Sequence, residues 1–258
     1  MNKNFLVIKK MVVLMATVIL VGCNNGNNPP VNPDAGSVIT PPITETAVAK
    51  PVDGCTTYPA SVLLPVPLIG QQGPEWCWAA SGEMCMEALN GGIKVCQCDQ
   101  ANNVFSGGGC CSSYSPPPNC IDYLEDVTTS CNKPYWPDFK DYGFTSQSTV
   151  NIGVTGFSYG PLGSGQNYLS FTDLQNQISC LQKPVIFMWQ WNINDVTDQA
   201  HMLVAYGYSI NDSLEGQWVY VNDPGKTWAL IPYSLYVSGN EHVHYADFYN
   251  ITAPPANQ

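Results

Sequence analysis

The sequence predicts an α+β fold, because its strongest helix signal comes early and its strand signals come late. Residues 77–90 (CWAASGEMCMEALN) are rich in helix formers, with an apolar seam at Cys77, Ala80, Met84 and Ala88, and Gly91-Gly92 supplies the stop. Residues 185–191 (VIFMWQW), 201–210 (HMLVAYGYSI) and 217–221 (QWVYV) are β-branched and aromatic, as strands are. A chain of 258 residues has room for one ordinary domain with appendages and a sizeable core.

From the N-terminus, Lys3, Lys9 and Lys10 precede the apolar run 11–22, the charged and hydrophobic regions of an export signal that is too short to span a bilayer. Leu20-Val21-Gly22-Cys23 resembles the lipobox of bacterial lipoproteins, which implies acylation of Cys23, removal of residues 1–22 and a membrane-anchored mature chain. Residues 23–54 are Asn-, Pro- and Thr-rich without apolar periodicity, a disordered tether with a reach of roughly 30 Å. The expected location is the bacterial cell envelope, with the domain on the non-cytoplasmic side. Losing three lysines takes the net charge from −11 to about −14, which excludes nucleic acid as a primary partner.

The folded domain is expected over residues 55–252, followed by a disordered tail at 253–258. Its first helix is entered from the turn Gly73-Pro74-Glu75. A second helix is predicted over 171–182, with Thr172 as N-cap, Gln175 three residues on, and Lys183-Pro184 as the stop. The strand at 185–191 follows at once, and residues 211–215 form a turn between the two later strands. Trp189, Trp191, Tyr206 and Tyr208 alternate as core and cross-strand residues do.

Cys77 falls at the N-terminus of the first helix, where exposed amides and the helix dipole favour a thiolate, the form a nucleophile needs. Gln71, six residues upstream, can offer its side-chain amide beside the Cys77 backbone N–H as an oxyanion hole. Of three histidines, His201 opens an apolar strand and is the candidate general base. Either Asn222 or Asp223 at the end of the next strand can hold the imidazole; adjacent strand residues face opposite ways, so only one does.

Gln71-x5-Cys77-Trp78-Ala79-Ala80-Ser81 resembles the glutamine and nucleophile signature of papain-like cysteine peptidases. Glu75-Trp76 departs from the small residues that precede the nucleophile in papain, and the Trp-Cys-Trp form is more similar to a bacterial branch that includes plant-pathogen effector peptidases. The stretch from Gln97-Cys98 through Cys110-Cys111 to Cys120 is similar to the Cys-containing segment after the nucleophile helix in that branch. His201 lies about 124 residues after Cys77, slightly under the roughly 130 to 150 of papain and cathepsins. The resemblance implies a papain-like fold, with the nucleophile helix packed on a C-terminal antiparallel sheet or half-barrel. It further implies a Cys77, His201 and Asp223 mechanism with Gln71 as oxyanion donor, Asp223 being preferred over Asn222 because that branch ends the strand with Asp-Pro. A peptide or protein substrate, a monomer and no cofactor or metal complete the expectation. Two other readings stay open: a transglutaminase-like acyltransferase, which shares the Cys, His, Asp order, and a non-catalytic lipoprotein that binds peptide or glycan.

Setting aside Cys23 and Cys77, nine cysteines remain, enough for four disulfides and one leftover thiol, with the pairing open. Absence of C-x2-C knuckles weighs against zinc. His242-Val243-His244 with Asp247 nearby reads either as a metal pair or as a solvated edge strand.

Overall fold

The computed structural model of the chain describes residues 55–255, apart from 56, 93, 106–108, 112–119, 121–126, 129, 154–156, 160–166, 192–199, 212–215 and 226. The predicted leader and tether, Cys23 included, lie outside the described residues, as do residues 256–258. The element order is β1 (Ser61–Leu63), α1 (Cys77–Leu89), α2 (Gln97–Val104), β2 (Thr145–Ser148), β3 (Phe157–Tyr159), α3 (Phe171–Gln175), β4 (Val185–Trp191), β5 (Ala200–Asn211), β6 (Gly216–Asp223), β7 (Thr227–Pro232), α4 (Tyr233–Val237) and β8 (His242–Thr252). The class is α+β, as the sequence predicts.

One sheet runs in the order β3-β2-β8-β4-β5-β6-β7, antiparallel except for β2 and β3. β5 pairs with β4 through Ala200–Ala205, and β1 takes over beside Gly207–Ser209. Gly207 is required there, since a Cβ would lie 2.6 Å from the Val62 carbonyl oxygen.

Period-two alternation splits the strands between two cores. Ile186 and Met188 of β4, Met202 and Val204 of β5, and Ala246 and Phe248 of β8 join α1 and α2 on one face. Val185, Phe187 and Trp189, then Leu203 and Ala205, then Val219 and Val221 of β6 pack with α3 and α4 on the other. Burial on both faces explains the nearly continuous apolar runs of β4 and β5. α1 is more enclosed than its seam predicts: every residue from Cys77 to Met86 is buried.

The second helix differs from the prediction. Its N-cap is Ser170, not Thr172: Ser170 Oγ accepts from the Asp173 N–H at 3.1 Å and the Asp173 carboxylate returns to the Ser170 N–H, a reciprocal capping box. Regular helix ends at Gln175, and Asn176–Cys180 winds as a π turn. Gln182 then adopts a left-handed φ of 55°, its side-chain amide donating to the Ile178 and Ser179 carbonyls. The His242–His244 segment is not a solvated edge either, because β8 lies between β2 and β4. Past β8, Ala253 still packs on the α1 core, and Pro254 lies against Gly143.

Candidate active site

The turn before Cys77 is fixed before the helix starts. The Trp76 N–H donates to the Gly73 carbonyl at 3.0 Å, and a Cβ on Gly73 would sit 2.9 Å from the Trp76 ring. Three further hydrogen bonds tie the turn to residues 131–133. The Glu75 N–H donates to Asn132 Oδ1 at 2.9 Å, the Trp76 indole to the Cys131 carbonyl at 2.9 Å, and the Trp78 indole to the Lys133 carbonyl at 3.1 Å. A buried indole N–H needs such an acceptor, so the tryptophans flanking Cys77 act as two pegs. Cys131 is itself bridged to Cys110. Cys77 is therefore held, as a buried thiol outside the disulfides, at the first position of α1.

His201 lies against it. The imidazole is fully buried, its Nε2 is 2.8 Å from Asp223 Oδ1, and its side chain hydrogen-bonds that of Cys77. With Nε2 directed at the carboxylate, Nδ1 is the nitrogen left for the sulfur. Burial alone pushes the imidazole down, but hydrogen bonds to Asp223 and Cys77 and the negative charge of both outweigh it and push His201 up to about 10. Asp223 Oδ1 also accepts from the Gly225 N–H at 2.7 Å, which fixes the carboxylate in the turn after β6.

Asn222 faces elsewhere. Its Nδ2 donates to the Val66 and Pro67 carbonyls, both at 3.3 Å, and so pins the segment leading to Gln71. The structure thus brings together Cys77, His201 and Asp223 and leaves Asn222 outside the row.

Gln71 reaches the same region through its backbone, whose N–H donates to the Pro224 carbonyl at 2.8 Å. Its side-chain Nε2 donates to the carbonyls of Gly73 at 3.0 Å and Pro74 at 2.6 Å, closing the turn into α1. Behind it, buried Gln97 of α2 accepts from the Gln72 N–H at 2.8 Å and donates to the Gly70 carbonyl at 2.9 Å and to Glu83 of α1 at 3.0 Å. Gln97 clamps residues 70–72 to α1.

The other titratable cluster is separate. His242 Nε2 contacts the Leu235 carbonyl and His244 Nδ1 the Tyr236 carbonyl, both at 2.9 Å, so each imidazole is spent on the end of α4. His244 Nε2 lies 3.1 Å from Asp247 Oδ1 without hydrogen-bond alignment, an ion-pair contact, and Asp247 also accepts from the Tyr236 hydroxyl. Among the described residues no group of three or more His, Cys, Asp or Glu is placed to hold a metal.

Four disulfides join Cys55–Cys180, Cys96–Cys120, Cys98–Cys111 and Cys110–Cys131. The leftover thiol is Cys85, whose burial pushes it up and leaves it inert. Such bridges point to an extracytoplasmic, oxidising setting. No helix among the described residues is long and apolar enough to cross a membrane.

Sequence reasoning quoted Trp76, Trp78 and Gln97 only as parts of a resemblance and passed over Asn132; their part in building the site comes from the structure. The Trp-Cys-Trp triplet was the available signal, since two indoles beside a buried thiol each require an acceptor.

None of the curated proteins matches the chain. Among solved structures, xylellain, a cysteine protease from Xylella fastidiosa, is similar at 13% identity and a TM-score of 0.44, over 80% of this chain and 91% of that one. Digestive procathepsin L 3 of the Tenebrio molitor larval midgut is similar at 13% identity and a TM-score of 0.41, over 71% of this chain and 68% of that one. The model of the Peptidase_C39 like family matches residues 63–252, which span Gln71, Cys77, His201 and Asp223 alike. On that match, the chain belongs to the Peptidase_C39 like family.

Proposed function

We propose that this protein is an exported, lipid-anchored cysteine peptidase that hydrolyses peptide bonds with Cys77 as nucleophile, His201 as general acid and base, and Asp223 as the group orienting His201. One observation carries the proposal: a continuous hydrogen-bonded row from Cys77 through His201 to Asp223, with the sulfur at a helix N-terminus.

The Cys77 thiolate attacks the scissile carbonyl carbon, and the developing oxyanion is met by the Gln71 amide and the Cys77 backbone N–H. Gln71 must exchange one of its bonds to Gly73 or Pro74 for that purpose. As the tetrahedral intermediate collapses, the C–N bond breaks and His201 gives its proton to the departing amine. Water then attacks the thioester, His201 accepts its proton, and the C–S bond breaks to release the acid and restore the thiolate.

The lipobox-like Leu20-Val21-Gly22-Cys23 supports anchoring through acylated Cys23, with residues 24–54 as the tether. Incorporation of labelled palmitate that disappears in Cys23→Ala is the expected outcome.

The catalytic reading is tested by incubating the fragment from residue 55 onward with a peptidyl electrophile, wild type against Cys77→Ala. Labelling is expected at Cys77 and absent from the variant; undiminished labelling of Cys77→Ala would refute the assignment. Adding a peptide with and without an amine donor, and weighing the products, separates hydrolysis from acyl transfer.

A further inference from the structure

Glu75 is a carboxylate two residues before the nucleophile, and nothing in the proposed mechanism uses it. Its backbone is fixed by Asn132, and the residue is only 8% exposed. No donor among the described residues reaches its side chain, and no described lysine forms an ion pair with it. Burial first, and then the negative charge of nearby Cys77, push the Glu75 carboxyl up, which marks the two groups as electrostatic neighbours.

A carboxylate this deeply buried, with no partner among the described residues, is costly to keep unless something else pairs with it. Whatever occupies the site reacts at Cys77, so the attacked carbonyl carbon is a fixed point. The side chain closest to that point along the substrate belongs to the residue carrying the carbonyl, because its Cα is bonded to the attacked carbon. A flexible cationic side chain in that position is the nearest substrate group able to supply a counter-charge to Glu75. The negative charge of the whole chain draws such substrates in.

From this geometry we infer that Glu75 selects substrates with lysine or arginine on the acyl side of the scissile bond. The inference rests on the cysteine peptidase reading, and its test separates the two. A matched pair of peptidyl acyloxymethyl ketones is used, identical except for lysine or norleucine beside the warhead. The Cys77 thiolate displaces the carboxylate leaving group, so a C–S bond forms, a C–O bond breaks, and labelling is read by mass without need of turnover.

The lysine reagent is expected to label wild type at least about tenfold faster than the norleucine reagent, with the ratio falling to within about twofold of unity in Glu75→Gln. Glu75→Asp, which keeps the charge on a shorter arm, is expected to give an intermediate ratio, and a thermal melt of each variant reports that it is folded. Equal rates for the two reagents in wild type, or a ratio unchanged in Glu75→Gln, overturns the selectivity while leaving the nucleophile intact. Failure of both reagents to label Cys77 overturns the peptidase reading and the selectivity with it.

Discussion

Asp223 and Asn222 are neighbours on one strand with opposite duties, and the difference is measurable. Asp223→Ala removes the acceptor of His201 Nε2 and is expected to lower kcat by about 100-fold or more while the fold persists. Asn222→Ala leaves the Val66 and Pro67 carbonyls without their donor and is expected to destabilise by about 1–2 kcal/mol in urea unfolding, with a much smaller loss of kcat. Charge on His201 adds a pH signature. Its folded value is pushed up to about 10, above that of an unfolded histidine, so its stabilising contribution is complete below roughly pH 6.5 and is lost as pH rises through about 10. The alkaline limb of kcat/KM is expected near the same point, and in Asp223→Ala it should move to lower pH, which a rate profile from pH 5 to 11 checks. Cys77, His201 and Asp223 were legible in the sequence because each sits at the end of a readable element. The enclosing partners of Cys77 were not, since Glu75, Trp76 and Trp78 meet residues 55 to 57 positions away.

At the scale of elements, α1, which carries Cys77, is steered by its surroundings more than by its own caps. α1 has no side-chain hydrogen bond at its N-cap, Trp76. The alignment of its first turn comes instead from the two indoles and Asn132. Trp76→Phe keeps most of the ring volume and removes the donor to the Cys131 carbonyl, so a loss of about 1–3 kcal/mol is expected in urea unfolding. A slower reaction of Cys77 with iodoacetamide should accompany it. α1, β4, β5 and β6 were readable because buried apolar stretches dictate them. β2 (Thr145–Ser148, TSQS) was not, because its buried positions are serines, with Ser146 Oγ donating to the Tyr249 carbonyl in place of apolar packing. α2 was hidden for a similar reason: its sequence QCDQANNV is polar, and its place is set by Gln97 and Gln100 hydrogen bonds and by the bridge at Cys98. The β8 histidines looked solvated because their acceptors belong to α4, which a strand pattern cannot foretell.

Across the whole molecule, the bridge Cys55–Cys180 stands apart and closes a separation of 125 residues, while the other three bridges crowd beside α1 and α2. That asymmetry was half legible: the number of bridges followed from counting cysteines, and the partners did not, because connectivity depends on the path of the chain. The Cys110–Cys131 bridge ends at the residue whose carbonyl receives the Trp76 indole, so the Cys77 thiol and a bonded pair of sulfurs are linked through a single hydrogen bond of the neighbouring residue. Added thiol reductant is therefore expected to act on the protein twice, in opposite directions: a low dose keeps Cys77 reduced, as the proposed mechanism requires, and a high dose opens the bridge that anchors its setting. Activity against dithiothreitol concentration is expected to rise, peak and fall, and replacing Cys110 and Cys131 together by alanine should lower the peak and abolish the descending side. On the proposed mechanism the domain is therefore expected to work best within a window of ambient thiol.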